Sequence, residues 1–229
     1  MKNNYSRNFS IVALIIVIPL LFSYLPKKKE KLFLPNKTNE WYVWLEKSGK
    51  NNDPKKVFQF EKDVLHVSGE VAGYIATNKK YGDFHLTLQF KWGEKKYPPR
   101  LNEKRDGGVL YHADFYSGDK IWPRSLEYQI QEGDCGDFWM TDSTTIIFHD
   151  TLTAPKKTAL RGVKSKDAEK PNGQWNKCEV IVKNGSITHI INGVVVNEAK
   201  LGNTKEGHIV LQSEWAELYY KDVVVEELD

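Results

Sequence analysis

The 229-residue chain is poor in sulfur, with two cysteines and two methionines. Cys135 and Cys178 stand singly, and neither belongs to a pair at zinc-ligand spacing, so a zinc-finger type of site is excluded. The two could pair if the chain is exported, or stay free and structural. There is no glycine-rich phosphate loop and no dinucleotide fingerprint. The chain therefore carries no sign of its own nicotinamide chemistry. Net positive charge is lacking too, once it is located. The formal charge is +3. Residues 1–31 hold Lys2, Arg7, Lys27, Lys28, Lys29 and Lys31 against Glu30, a balance of +5, which leaves −2 for everything after them. A slightly acidic remainder has no electrostatic footprint for nucleic acid. Helical periodicity is almost absent after residue 40, and there is no internal repeat and no sign of a second domain.

The sequence has one long apolar run, Ile11 to Leu25, preceded by Lys2 and Arg7. At about 15 residues it is short for a spanning helix and suits a signal-peptide core. No Ala-x-Ala-like cleavage site follows, and Lys27-Lys28-Lys29 lies on the side that would be exported, against the positive-inside tendency. Residues 1–25 are thus read as a signal peptide or an uncleaved membrane tether, and residues 26–40 as a polar spacer. The expected location is exported, periplasmic or cell-surface.

From residue 41 to 229 the pattern is strand upon strand. Residues 84–90 alternate cleanly, and short alternating or apolar segments recur at 64–67, 74–77, 108–112, 126–131, 144–148, 208–212, 218–220 and 223–226. Residues 41–47 suit either a strand or one or two helical turns. Asn184-Gly185 and Asn192-Gly193 punctuate three further segments at 176–197, and Asn-Gly between apolar runs is the strongest short hairpin signal. About a dozen short strands without crossover helices predict a single all-β domain, an antiparallel jelly-roll sandwich. The lysine- and proline-bearing stretches 93–106 and 152–173 are expected to rim one end. High aromatic content, with seven Trp and eleven Tyr, suits such a fold and suits sugar binding.

The most informative segment is Leu126-Glu127-Tyr128-Gln129-Ile130-Gln131. Strict alternation buries Leu126, Tyr128 and Ile130 and puts Glu127, Gln129 and Gln131 in a row on the other face. A carboxylate flanked by amides on a sheet can grip hydroxyls and move a proton. Around it stand Trp122, Arg124, Asp134, Asp137 and Trp139.

An ordered set of segments resembles the 3-keto-disaccharide hydrolase domain, a concanavalin-like sandwich family common in exported bacterial proteins. Residues 71–77 with Tyr81-Gly82-Asp83-Phe84 are similar to the family's opening, and Gly108-Val109-Leu110-Tyr111-His112 to an inner strand. Trp122 to Ile130 is similar to its central Glu-x-Gln motif. Gly173-Gln174-Trp175-Asn176 with Ile191-Asn192-Gly193 is similar to its late hairpin, and Gly207 to Glu214 to its closing strand. The resemblance covers roughly residues 41–228. Two positions depart from the pattern. Asp106-Gly107-Gly108 stands where members often have Asn-Ser-Gly, and His112 stands where many carry Arg.

The resemblance implies cleavage of a glycoside whose C3 is already a ketone. The ketone acidifies C2, a base removes that proton, and the enolate expels the C1 substituent. Glu127 and His112 are the candidates for proton transfer, and Arg124 for holding the oxyanion. Gln129 and Glu214 are candidates for holding hydroxyls, Trp139 for stacking on a sugar ring, and Asp137 for a binding role. A divalent metal shared by His112 and Glu127, with His149 as a third ligand, is an open alternative. The implied partners are a carbohydrate substrate and a separate sugar oxidoreductase that makes the ketone. Each residue has a plainer reading as a solvated strand face, a core aromatic or a turn aspartate. Two other functions stay open: a non-catalytic carbohydrate-binding domain and a cell-surface structural module.

Overall fold

The computed structural model describes residues 29–33 and 38–228. The apolar run at 11–25, read above as a signal or tether, lies outside the described residues. The strands, in chain order, are β1 (Lys29–Lys31), β2 (Trp41–Leu45), β3 (Gly49–Lys50), β4 (Phe58–Glu61), β5 (Val64–Val67), β6 (Gly73–Tyr81), β7 (Phe84–Lys96), β8 (Asp106–Asp114) and β9 (Arg124–Gln131). They continue as β10 (Phe138–Thr141), β11 (Ile146–Phe148), β12 (Thr151–Leu152), β13 (Leu160–Gly162), β14 (Asn176–Lys183), β15 (Ser186–Ile191), β16 (Val194–Leu201), β17 (Gly207–Ser213) and β18 (Ala216–Glu227). Among the described residues the only helix is a 3-10 turn, Thr38–Glu40.

Two sheets stack face to face. One has ten strands, in the order β12-β11-β16-β15-β14-β7-β18-β5-β4, with β1 added beside β18. The other has eight, in the order β13-β10-β9-β8-β17-β6-β2-β3. The paired strands run antiparallel, so the expected sandwich is the observed one. Period-two alternation supplies the core between the sheets. Phe84, Leu86, Leu88 and Phe90 from β7 meet Leu126, Tyr128 and Ile130 from β9 in one buried cluster. Asn184-Gly185 and Asn192-Gly193 sit at the β14–β15 and β15–β16 hairpins, all four residues at positive φ as a type I′ turn requires.

Two expectations about boundaries change. Residues 29–33 are not spacer: β1 pairs with β18, and Leu32 and Phe33 are buried in the core, where Phe33 packs against Trp41 and Phe60. Apolar burial and ladder hydrogen bonds decide this, and a tally of polar residues misses both. Likewise β7 continues through Gly93 to Lys96 because β18 stays paired to it there, so the loop behind it is shorter than residues 93–106.

Both cysteines are buried free thiols, and the Cys135 Sγ donates to the Gln131 carbonyl at 3.3 Å.

Candidate active site

The outer face of the eight-stranded sheet carries the site. On β9 the alternation places Glu127 and Gln129 on that face, each only 5 % exposed. Trp139 of β10 stands directly across from Glu127. On the other side β8 pairs with β9 in a register that sets Asp106 against Gln131, Gly108 against Gln129 and Leu110 against Glu127. Beyond it, β17 contributes Gln212 and the residue that follows the strand, Glu214. Both lie on the face opposite Ile209 and Leu211, which are core residues. Gly108 makes room for this meeting. A Cβ there would lie 2.1 Å from Glu127 Oε1 and 2.2 Å from Gln212 Oε1.

These groups border a cavity of about 820 Å³. At one end sit Arg100, Asp106, Glu127, Gln129, Trp139 and Glu214. Asp106 is ion-paired to Arg100 and accepts hydrogen bonds from Gln129 Nε2 (3.0 Å) and the Gly107 amide (3.1 Å). Trp122, half exposed, donates its indole N–H to Glu214 Oε1 at 2.8 Å. At the other end Lys120 and Lys157 both bind the buried carboxylate of Asp142, at 2.6 and 2.9 Å. The neighbouring half of the sheet face is filled. Tyr74 is sandwiched by Trp44 and Phe115, and the Tyr42 and Tyr74 hydroxyls both donate to Asp119. This plug anchors the segment 115–122, which forms one wall of the cavity.

Burial dominates the electrostatics. Loss of solvent, then the charges of Glu214 and Asp106, hold the Glu127 carboxyl well above the usual range, and no cation or hydrogen-bond donor among the described residues opposes them. Glu214 is pushed up to about 7 by burial and by Asp106, against the Trp122 N–H and Arg100. Asp106 is raised to about 6 by burial, against Arg100 and its hydrogen bonds. Three carboxyl groups and one guanidinium share a low-dielectric cleft. Full ionisation of all three at neutral pH is disfavoured, so at least one proton is held there. Such a cluster is suited to giving and taking protons.

The structure gathers Glu127, Gln129, Trp139 and Glu214 at this cavity and leaves the other expected site residues elsewhere. His112 is the main correction. The register of β8 slips between Tyr111 and Asp114, and His112 adopts φ 50°, so strand parity fails at that point. Its Nδ1 faces Thr204 Oγ1 at 3.2 Å and its Nε2 faces the Gly82 carbonyl at 2.9 Å. It is buried, does not border the cavity, and ties three segments together. Arg124 shares parity with Leu126 and donates to the Asn203 carbonyl at 3.0 Å. Asp137 is fully buried and accepts from Arg161 and from the Lys164 amide, fastening the segment after β13 to the turn after β9. His149 stands in the tight β11–β12 turn with its ring against Phe148. A metal shared by His112, Glu127 and His149 does not fit these positions, and among the described residues no three His, Cys, Asp or Glu side chains converge on a metal-sized point.

Sequence reasoning passed over Arg100 and Gln212. Arg100 lies in a loop that only the fold brings back over β8. Gln212 stands in the closing strand, where its parity opposite to Leu211 marked it as facing the site.

Among solved structures, the chain is similar to a putative glycosyl hydrolase from Parabacteroides distasonis (20% identity, 88% of this chain and 94% of that one, TM-score 0.59). It is also similar to the carbohydrate-binding module CBM66 from Bacillus subtilis (9% identity, 82% and 96%, TM-score 0.56) and to a Bacillus licheniformis beta-glucanase (9% identity, 89% and 98%, TM-score 0.53). At these identities the likeness is one of fold. No curated protein matches the sequence. The pattern that describes the 3-keto-alpha-glucoside-1,2-lyase-like domain matches residues 29–226, from β1 almost to the end of β18, and the chain therefore belongs to that family.

Proposed function

We propose that this protein is an exported enzyme that cleaves 3-keto-glycosides, with Glu127 as the base that takes the proton from C2. The observation that supports this most is the state of Glu127: an acidic side chain almost closed to solvent at the cavity, with no ion pair and no hydrogen-bond donor of its own among the described residues. A buried carboxyl without a partner is costly to the fold and makes a strong base once ionised. In the reaction the C2–H electron pair becomes the enolate, the C1–O bond breaks, and the departing oxygen takes a proton. Glu214, poised near neutrality, is placed to supply it. Trp139 beside Glu127 offers a face for a sugar ring. A separate oxidoreductase must make the ketone, because this chain has no nicotinamide fingerprint. A non-catalytic sugar-binding role would use Glu127 only as an acceptor, which a glutamine supplies almost as well.

The test is turnover of a 3-keto-glucoside by the wild-type chain and by Glu127→Gln, each with and without chelator. The expected loss is about 100-fold or more, with ligand binding largely kept. Turnover within a few-fold of wild type removes Glu127 from the mechanism. Activity should rise with pH as Glu127 ionises, at a pH above the ordinary carboxylate range, and fall again as Glu214 loses the proton that the leaving group takes.

A further inference from the structure

Gln212 is fully buried, and among the described residues neither its amide oxygen nor its amide nitrogen has a hydrogen-bond partner. A buried amide with four unmade hydrogen bonds is unusual, because each lost bond leaves the desolvation cost of the group uncompensated. The neighbourhood shows what it faces. Gly108 has no side chain, and the space a Cβ would occupy is shared by Gln212 Oε1 at 2.2 Å and Glu127 Oε1 at 2.1 Å. Those two short distances to one point cap the separation of the two oxygens, so the amide and the carboxyl lie side by side over Gly108. Asp106 and Glu214 have donors of their own in Arg100, Gln129 and Trp122. The Trp139 indole N–H and the Tyr220 hydroxyl are also buried without partners among the described residues, but Gln212 is the group that shares the space over Gly108 with the Glu127 carboxyl, and an amide can both donate and accept. Gln212 does not border the cavity, so it acts on substrate only through Glu127.

We propose that Gln212 is a positioning residue for Glu127, its amide turning so that Oε1 accepts from the protonated carboxyl and Nε2 donates to the ionised one. A half-turn of the amide exchanges acceptor for donor in the same place. Glu127 then keeps one partner through both halves of a proton transfer, and Gly108 is the position whose missing Cβ permits the contact. This inference rests on the reading of Glu127 as the base.

The test begins with the wild-type chain. In a pH titration by NMR, the Gln212 side-chain amide resonances and the Glu127 carboxyl carbon should move with one shared midpoint, and the Gln212 transition should vanish in Glu127→Gln. A Gln212 amide that does not respond while the Glu127 carboxyl titrates overturns the proposal. Gln212→Leu and Gln212→Met keep the volume and remove the amide. In whichever of them folds, kcat should fall about tenfold with KM within twofold, and the Glu127 midpoint should move up, since a donor to the carboxylate is lost. An unchanged midpoint and pH profile would equally overturn it. If Glu127→Gln keeps full turnover, the base assignment fails, whereas a silent Gln212 beside an essential Glu127 fails this inference alone.

Discussion

Two glutamates on outer strand faces, one in each sheet, meet opposite fates. Glu127 of β9 and Glu217 of β18 have almost the same residue exposure, 5 % and 7 %, although the Glu127 carboxyl lies much deeper in the protein. Burial acts to raise the pKa of both. At Glu217 the amides of Lys95 and Glu94 (3.2 and 3.0 Å) and His66 Nε2 (3.0 Å) outweigh it, and the carboxyl falls below its usual range. At Glu127 no donor is offered, the neighbours are acids, and the carboxyl rises. Glu179 of β14 repeats the first pattern, with burial outweighed by Lys177 and His85. On the ten-stranded sheet Glu217 and Glu179 are satisfied, whereas on the eight-stranded sheet Glu127 is left short while Asp106 and Glu214 beside it take the available donors. The difference lies in the depth of the carboxyl and in the donors that adjoining strands supply, since residue type and alternation are the same. Unsatisfied groups on one sheet face are what a site for proton transfer needs and what a structural face avoids.

Turnover should break the symmetry most sharply. The hundredfold loss expected for Glu127→Gln has no counterpart at Glu217→Gln, for which kcat should stay within twofold of wild type. A comparable loss at Glu217 would make the contrast one of stability alone. Gly108→Ala comes next. The new Cβ must push aside the flexible ends of Glu127 and Gln212. The protein should fold, and kcat/KM on a 3-keto-glucoside should drop by roughly tenfold or more through misplacement of the base.

Stability should then separate the two sheets by sign. Glu214 has a folded pKa of about 7 against an ordinary 4.5, so the folded state binds the extra proton between those values. For this raised carboxyl, stability is highest below pH 4.5 and declines up to pH 7. Glu214→Gln keeps an acceptor for the Trp122 N–H and removes that decline, a gain on the order of 3 kcal/mol at neutral pH relative to pH 4.5, read by urea unfolding at both. Glu217 is the reverse case. Its depressed folded pKa gives stability that is present above the unfolded value and lost as pH falls through the folded one. Glu217→Gln should cost about 1 kcal/mol at pH 7 and less in acid. The smallest effect is expected at the partly exposed Glu179, where Glu179→Gln should cost roughly 0.5 kcal/mol.

The sequence by itself determined which way the strands face. Alternation at 84–90 and 126–131 put the right residues between the sheets and Glu127 with Gln129 outside, and the Asn-Gly pairs fixed two hairpins. These are local properties, set by the period-two geometry of a strand and by the φ a turn demands. Tertiary structure alone decided who meets whom. Gln212 and Glu214 reach Glu127 because β8 pairs with β9 and β17 with β8, the second a contact between segments about 100 residues apart whose register no short window contains. The same pairing slips at His112, and a one-residue irregularity there turns the histidine away from the face that Gly108 shares with Glu127. Whether a carboxylate is satisfied or left wanting depends on the donors that neighbouring strands and loops bring to it. That is a property of the assembled sheet, which separates Glu127 from Glu217 although the sequence writes both as glutamate on an outer strand face.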